Sequence, residues 1–476
     1  MSPHKKLLWG RLSHHTFGKA YKYTLCGQGI KQRNRVLFIN QPFSTSMIDA
    51  QRYLHEPPTD VEAIGIPATK SHIQTKPLHL EQSRATVQRL LEQNHHEHHI
   101  EYNGDRRFSN HAVHTLLTTY ALGATPKRLE EIYKHFQSFL DPLPQPKIEI
   151  NEDNFDKYLG KREHYRDYLD FFDRLIEKEG IKAVFDKYGP GFFPYSIGQA
   201  IHPLIHLGFG MEFNNKLVVA EALAFAAFTH FPYATVVVQT FPEHEDQTGS
   251  TSSGSTHSGG KSILEILDAI HKDPRIDKIY THNWNSMRLS SHIQRVLDLG
   301  GPVLQEYLQQ WEFPADPVNV VNQKLRELLR ASALVYASSW TDSPRLDFFL
   351  MHVLTSSHAV RVLIPFLSIK DRVKLLRVHF VALVAVYITR KRPAINAQKV
   401  LEYISPTLPQ GEDEESWGWN RAIELAINHP DEHFPKVIRA LKKDAEDFGD
   451  EDKLFLRAAE MTCDVVKQSE WGFFED

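Results

Sequence analysis

SNHAVHTLLTTYALGATPKRLEEIYKHFQSFL, residues 109–140, is the stretch that decides the fold class. Apolar residues recur at steps of three and four through both halves, the period of a helix face and not of a strand. Gly123 and Pro126 mark a stop and a restart, and Thr125 offers an N-cap oxygen, so the stretch reads as two consecutive helices. The same period runs through QSRATVQRLLEQNHHEHH (82–99) and through a helical pair in NEDNFDKYLGKREHYRDYLDFFDRLIEKEGIKAVFDKY (151–188). Further on it predicts helices over 262–272, 302–311, 320–334, 345–367, 371–390 and 418–442. Strand signals are few and short, and no fixed repeat is evident. The expected fold is mainly α: a large, helical bundle-like single domain with few short strands, its sites built from side chains on facing helices.

Residues 1–80 read as an irregular N-terminal segment packed on the core, with strand-like pieces such as RVLFIN (35–40). Residues 81–476 read as the helical catalytic domain. DQTGSTSSGSTHSGGKS (246–262) is a flexible surface loop by composition. The chain of 476 residues is 41% hydrophobic and 24% charged, enough for a large core. A net charge of -4 without a dense basic stripe gives no reason to expect nucleic acid. The two cysteines, Cys26 and Cys463, exclude a disulfide framework and a thiolate zinc site, which suits a reducing compartment. The N-terminal residues lack the apolar run of a signal peptide. The most apolar tract, LVVAEALAFAAFTHFPYATVVV (217–238), is broken by Glu221, His230 and Pro232, so it reads as core rather than as a membrane span. The expectation is a cytoplasmic protein with no membrane partner; the oligomeric state is left open.

No GxGxxG follows a strand, so no flavin or nicotinamide site is indicated. GxxxxGK[ST], GxSxG and HExxH are also missing, and Glu92–His95 is a single ExxH where a di-iron bundle needs two. What stands out is histidine, 27 residues in all, many of them on apolar helices. His202 and His206 lie four apart in GQAIHPLIHLGFGMEF (198–213) and would share one helix face. His111 and His114, and His352 and His358, stand on other apolar stretches. Any one of these reads as a core histidine bonded to a backbone carbonyl, and the 95–99 run reads as a solvated turn. Three separated apolar helices each presenting a histidine are better explained by a metal, since neutral imidazole is a common ligand. An all-histidine site leaves the metal charge unbalanced. Lys374 shares an apolar face with Val378, Val381 and Ala385; either it reaches the surface, or desolvation keeps its amine neutral enough to capture carbon dioxide as a carbamate.

HHIEYN (98–103), SNHAVHTLLTTYALGAT (109–125), HPLIHLGFGMEF (202–213) and DFFLMHVLTSS (347–357) together resemble the questin oxidase-like family, fungal enzymes that open anthraquinone rings. The matching pieces span about residues 90–390 in order. The resemblance implies a mononuclear non-haem iron dioxygenase that cleaves a ring carbon–carbon bond of a hydroxyanthraquinone, or its reduced form, to a benzophenone-type product in polyketide secondary metabolism. It implies Fe(II), O2 as co-substrate, and a ligand set of four histidines with a carboxylated lysine. Carried onto this chain, the ligands are His111, His202, His206 and His352 with a carbamate on Lys374, and His114 is a substitute for His111. His99, Tyr102, Asn103 and His114 are the candidates to position or deprotonate the phenol. The aromatic GPGFFPYS (189–196) suits a flat polycyclic ligand or the core equally. The alternatives are a flavin-independent Baeyer–Villiger-type monooxygenase of the same pathway class and a non-catalytic helical protein binding an aromatic ligand.

Overall fold

Seventeen α-helices, several single 3-10 turns and one two-stranded antiparallel sheet account for the ordered elements of a computed structural model that describes residues 77–104, 107–230, 260–279, 289–314, 316–340, 345–467 and 471–472. RVLFIN, Cys26 and residues 246–259 of the low-complexity segment lie outside the described residues. α1 (Pro77–Glu97) leads into a hairpin, β1 (Glu101–Tyr102) and β2 (Phe108–Ser109), in which Glu101 faces Ser109 and Tyr102 faces Phe108. There follow α2 (Ala112–Ala121), α3 (Pro126–Gln137), α4 (Tyr165–Glu179), α5 (Ile181–Phe192), α6 (His202–Glu212) and α7 (Lys216–Phe228). Next are α8 (Ile263–Lys272), α9 (Pro274–Asp277), α10 (Leu289–Leu308), α11 (Val321–Ala337), α12 (Phe348–Leu363) and α13 (Ile369–Thr389). α14 (Ala397–Leu401), α15 (Glu414–Asn428), α16 (His433–Phe448) and α17 (Leu454–Val465) close the chain.

The helices begin and end where local chemistry directs. Thr125 accepts from Arg128 N–H ahead of Pro126, capping α3, and Gly123 (φ +101°) turns the chain out of α2. Ser262 and Glu265 form a capping box on α8. Where a single helix over 418–442 was expected there are two, because Pro430 cannot continue α15 and Asp431 accepts from the His433 and Phe434 N–H groups at the start of α16. The helix expected at 302–311 begins at Leu289 and carries a kink at Gly301–Pro302.

α2, α7 and α12 are apolar on nearly every side, and almost all their residues are buried, as helices central to a bundle must be. The stretch Phe348–Phe366 is long and apolar enough to cross a membrane by length and composition alone, but 78% of it is buried inside the bundle. α6 and α12 cross closely. A Cβ built on Gly208 would stand 2.6 Å from the Ala359 Cβ, so only glycine allows this approach. Phe192 and Phe193 of the aromatic GPGFFPYS segment pack in the main core beside Phe155 and Tyr168.

Candidate metal centre

Four buried histidines converge from four helices: His111 at the start of α2, His202 on α6, His352 on α12 and His433 on α16. One ring nitrogen of each lies within 4.8 Å of the others. Their rings form a closed cycle, with centroids 4.7 Å apart for His111–His202, 4.9 Å for His202–His352, 5.2 Å for His352–His433 and 4.7 Å for His433–His111.

Backbone carbonyls fix three of the tautomers. His111 Nδ1–H donates to the Ser109 carbonyl (2.7 Å), His202 Nδ1–H to that of Gln199, and His352 Nδ1–H to that of Phe348 (2.8 Å). In a neutral imidazole the other nitrogen is then a lone pair. Burial, with the charge of Lys436 and the neighbouring rings adding to it, holds all three well below the usual imidazole range, so they are neutral. His111 Nε2 and His202 Nε2 therefore meet lone pair to lone pair at 2.9 Å, which is repulsive with nothing between or beside them. His352 Nε2 and both nitrogens of His433 have no hydrogen-bond partner among the described residues. Unpaired buried nitrogens are costly, and a cation turns the same arrangement into attraction. Imidazole nitrogens bind a zinc-sized ion at about 2.0–2.1 Å, placing pairs of them about 3 to 4 Å apart; here one pair stands at 2.9 Å and all four lie within 4.8 Å of one another.

The local sequence explains the aim of each ring. Gln199, Ala200 and Ile201 all take left-handed φ (52°, 52° and 64°), which non-glycine residues adopt at a cost of about 1 kcal/mol or more each. This strained turn sets His202 at the first position of α6. Asn110 Oδ1 accepts from Ala112 N–H (2.9 Å) at the start of α2. Asp347 caps α12 by accepting from Phe349 and Leu350 N–H (both 2.9 Å), and Arg390 Nε donates to its other oxygen (2.9 Å). Asp431 also accepts from Trp471 Nε1 (3.1 Å). Burial opposes its charge, but the nearby His433, whose Nδ1 stands 3.4 Å from Asp431 Oδ1 and whose backbone N–H donates to it, and the Trp471 hydrogen bond outweigh that and lower its pKa.

His206 is not part of the cycle. Its Nε2–H donates to Glu221 (2.9 Å) and its Nδ1 faces His114 Nε2 (3.1 Å), so both nitrogens are engaged one layer out. His114 packs edge-on against His111 and stacks on Phe209. Glu221 also binds His95 Nδ1–H (2.9 Å), whose Nε2–H reaches Asp173 (3.0 Å). His95, read from sequence as part of a solvated turn, is thus buried between two carboxylates. His99 packs on Tyr165 and Phe228, and its Nδ1 is engaged by the Glu101 backbone; burial lowers it to about 4. Tyr102 lies against Phe108 and Phe139, with burial first and the nearby Glu432 charge second raising it to about 12. Asn103 is exposed in the hairpin, at φ +66°. These three are not gathered onto the histidine cycle.

Lys374 is half-buried on α13, a helix that supplies none of the four rings. The lysine whose charge bears on His111, His202 and His352 is Lys436, one turn after His433. It is 3% exposed, its Nζ has no hydrogen-bond partner among the described residues, and burial lowers it to about 8 against the pull of Glu432 and Asp431. His433 and Lys436 escaped the sequence reading because a helix drawn through Pro430 hides the face that His433, Lys436, Val437 and Ala440 share.

A helical bundle whose core holds an all-histidine pocket able to take a metal ion is the class that fold and site define. The questin oxidase-like family model matches residues 108–441, and the chain belongs to that family. The Baeyer-Villiger oxidase ptaJ of Pestalotiopsis fici is 28% identical over 385 residues, 76% of this chain and 81% of that protein. The Baeyer-Villiger monooxygenase dmxR6 of Cryptosporiopsis is 28% identical over 404 residues, 81% of this chain and 83% of its own. The questin oxidase of Aspergillus terreus is 28% identical over 372 residues, 74% and 78% of the two chains.

Proposed function

We propose that the protein is a fungal oxidoreductase of secondary metabolism, a non-haem iron dioxygenase that cleaves the quinone ring of a hydroxyanthraquinone. The observation that carries this reading is the set of backbone-fixed imidazoles turning neutral Nε2 lone pairs toward one another. The oxidase names of the relatives agree with the reaction class. His111, His202, His352 and His433 would hold the metal, and iron(II) would supply the electron transfer to O2 that side chains lack.

The anionic ligand that balances such a site is assigned to a carbamate on Lys436 rather than on Lys374. Lys436 and Thr118 line one small pocket, and Thr118 Oγ1, like Lys436 Nζ, has no hydrogen-bond partner among the described residues. A neutral amine is the form that adds carbon dioxide, and burial favours that form here.

The stoichiometry constrains the reaction. A two-electron-reduced anthraquinone plus O2 has the composition of a hydroxylated benzophenone carboxylic acid, one oxygen entering the new carboxyl group and one the ring carbon released by cleavage. The relatives' names favour a second reading, Baeyer–Villiger insertion of one atom from O2 followed by hydrolysis, which takes the other oxygen from water. Turnover of the reduced quinone under ¹⁸O2, with iron content measured on the same sample, decides between them. Two labelled oxygens and about one iron per chain support the dioxygenase, one labelled oxygen supports the monooxygenase, and active protein free of metal overturns the iron site.

A further inference from the structure

Three of the four rings are aimed by neutral groups: the Nδ1–H of His111, His202 and His352 each meets a backbone carbonyl, of Ser109, Gln199 and Phe348. His433 faces carboxylates instead. Its Nδ1 stands 3.4 Å from Asp431 Oδ1 and 3.9 Å from Glu432 Oε1, and neither ring nitrogen makes a hydrogen bond among the described residues. The His433 side chain is only 7% exposed, so bulk water does not stand in for a partner.

Asp431 is the better placed of the two carboxylates. Its side chain is as buried as the ring, whereas that of Glu432 is 27% exposed. Its Oδ1 is held by three donors: His433 N–H (2.8 Å), Phe434 N–H (3.2 Å) and Trp471 Nε1–H (3.1 Å). The first two are the opening hydrogen bonds of α16, and they fix the carboxylate against the turn that carries the His433 ring. The third comes from Trp471, whose neighbour Gly472 exchanges backbone hydrogen bonds with Leu346 (2.8 Å) and Phe348 (3.0 Å) at the start of α12. The helices bearing His352 and His433 are thus tied together behind the site through Asp431, Trp471 and Gly472. The Phe348 ring packs on His352, His433 and Trp471 alike, at 4.8, 4.7 and 6.3 Å between centroids.

We propose that Asp431 is a positioning residue for the metal centre: its carboxylate accepts a hydrogen bond from His433 Nδ1–H, which leaves Nε2 as the lone pair that this ring offers a metal. The inference rests on the reading of the four histidines as metal ligands. A shift of a few tenths of an ångström brings the pair from 3.4 Å to hydrogen-bonding distance. A carboxylate differs from a carbonyl in its charge. A charge-assisted hydrogen bond is about twice as strong as a neutral one, and it makes the ligating nitrogen on the far side of the ring more basic. His433 is then the one ring of the four with an anion behind it. That anion, one imidazole away from the metal, favours the more highly charged of two metal oxidation states.

The test is anaerobic titration with Fe(II) against a competing chelator, followed by the Fe(III)/Fe(II) midpoint potential of the loaded protein. Asp431→Asn removes the charge but keeps an oxygen for the two α16 N–H groups, a role that Asn fills as well as Asp. A structural role alone therefore predicts parental iron affinity in the folded variant, whatever its stability. The positioning role predicts iron affinity about 10- to 100-fold weaker and a potential shifted upward. Asp431→Ser also caps a helix start but is too short to reach the ring; it is expected to show the same loss, and it carries the test where Asp431→Asn does not fold. Glu432→Gln is expected to stay within about threefold of the parent, and a tenfold loss there with none in Asp431→Asn overturns the choice of Asp431. Parental affinity and potential in the Asp431 variants overturn the positioning role and leave the four-histidine site standing. Complete loss of iron in Asp431→Asn overturns it as well, since Asp431 would then be a ligand. A parent protein that binds no iron overturns the metal reading and this inference with it.

Discussion

Replacing His433 and His206 separately by alanine distinguishes the candidate ligand set that the fold assembles from the one that the family resemblance implied. His433 is buried, with no hydrogen-bond partner for either ring nitrogen among the described residues. Removing it from metal-free protein leaves a cavity worth about 2 kcal/mol, offset by the release of unpaired buried nitrogens, about 1–3 kcal/mol. Metal-free His433→Ala is therefore expected within about 1 kcal/mol of the parent. Metal affinity behaves differently. Groups one layer outside a metal's ligands cost 10- to 100-fold when removed, so loss of a ligating ring is expected to cost about 100-fold or more, about 2.8 kcal/mol.

The assay is chemical unfolding with and without Fe(II) under anaerobic conditions. At free metal about 100 times the parental dissociation constant, the parent gains about 2.7 kcal/mol and His433→Ala only about 0.4 kcal/mol. His206→Ala should show the opposite pattern. It keeps most of the metal-dependent gain, but its metal-free form is weakened by about 1–3 kcal/mol, because Glu221 loses one of its two buried donors. A variant set in which His206→Ala abolishes the metal response and His433→Ala retains it in full would refute the assignment.

Three further outcomes are expected. Lys436→Ala should lose both iron and the carbamate carbon signal seen by NMR after equilibration with ¹³CO2, while Lys374→Ala keeps both; the reverse result returns the carbamate to Lys374. His95 is raised above its unfolded value, so its contribution to stability is full below about pH 6.5 and is lost as pH rises toward about 10, at about 1.4 kcal/mol per pH unit; His95→Gln should remove about 2 kcal/mol of the stability loss between pH 6.5 and 8 in denaturant titrations. Oxygen uptake with a reduced hydroxyanthraquinone should need no added flavin, since the chain lacks a dinucleotide fingerprint; a stoichiometric flavin spectrum in active protein would contradict this.

Most helices were legible because their apolar period is intact; the division between α15 and α16 lies at a proline that the periodicity reading passed over, and the buried α17 was not expected. The site was legible only in part, for a geometric reason. Spacing of four residues put His202 and His206 on one face of α6, and they do share it. A helix face one turn long, however, meets different neighbours at its two ends. His202 follows the strained 199–201 turn and meets His111 and His352, whereas His206 meets Glu221 of α7 and His114. Periodicity names the face; which helix crosses it, and where, depends on contacts such as Gly208 against Ala359 that join residues far apart in sequence. Glu221 carried a readable signal as the single charge inside the LVVAEALAFAAF run, and a buried carboxylate in such a run requires a partner.

On the proposed metal reading, charge balance favours Lys436 over Lys374 as the lysine that completes the site. Of the carboxylates near the four rings, Glu221 is committed to His95 and His206, and Asp431 Oδ1, 3.4 Å from His433 Nδ1, is committed to two backbone N–H groups and Trp471. Glu432 comes within 3.9 Å of His433 Nδ1, but it groups with Asp431 and His433 and not with His111, His202 or His352. A divalent ion at the cycle would thus face neutral imidazoles and one adjacent cation, Lys436, whose charge already acts against protonation of three of those rings. Left as an ammonium, Lys436 would repel the metal. Converted to the proposed carbamate it would reverse sign and supply the missing anion. On that reading the same residue is either the main obstacle to a metal at this position or the ligand that makes it stable, so metal binding and carboxylation of Lys436 are expected to rise and fall together.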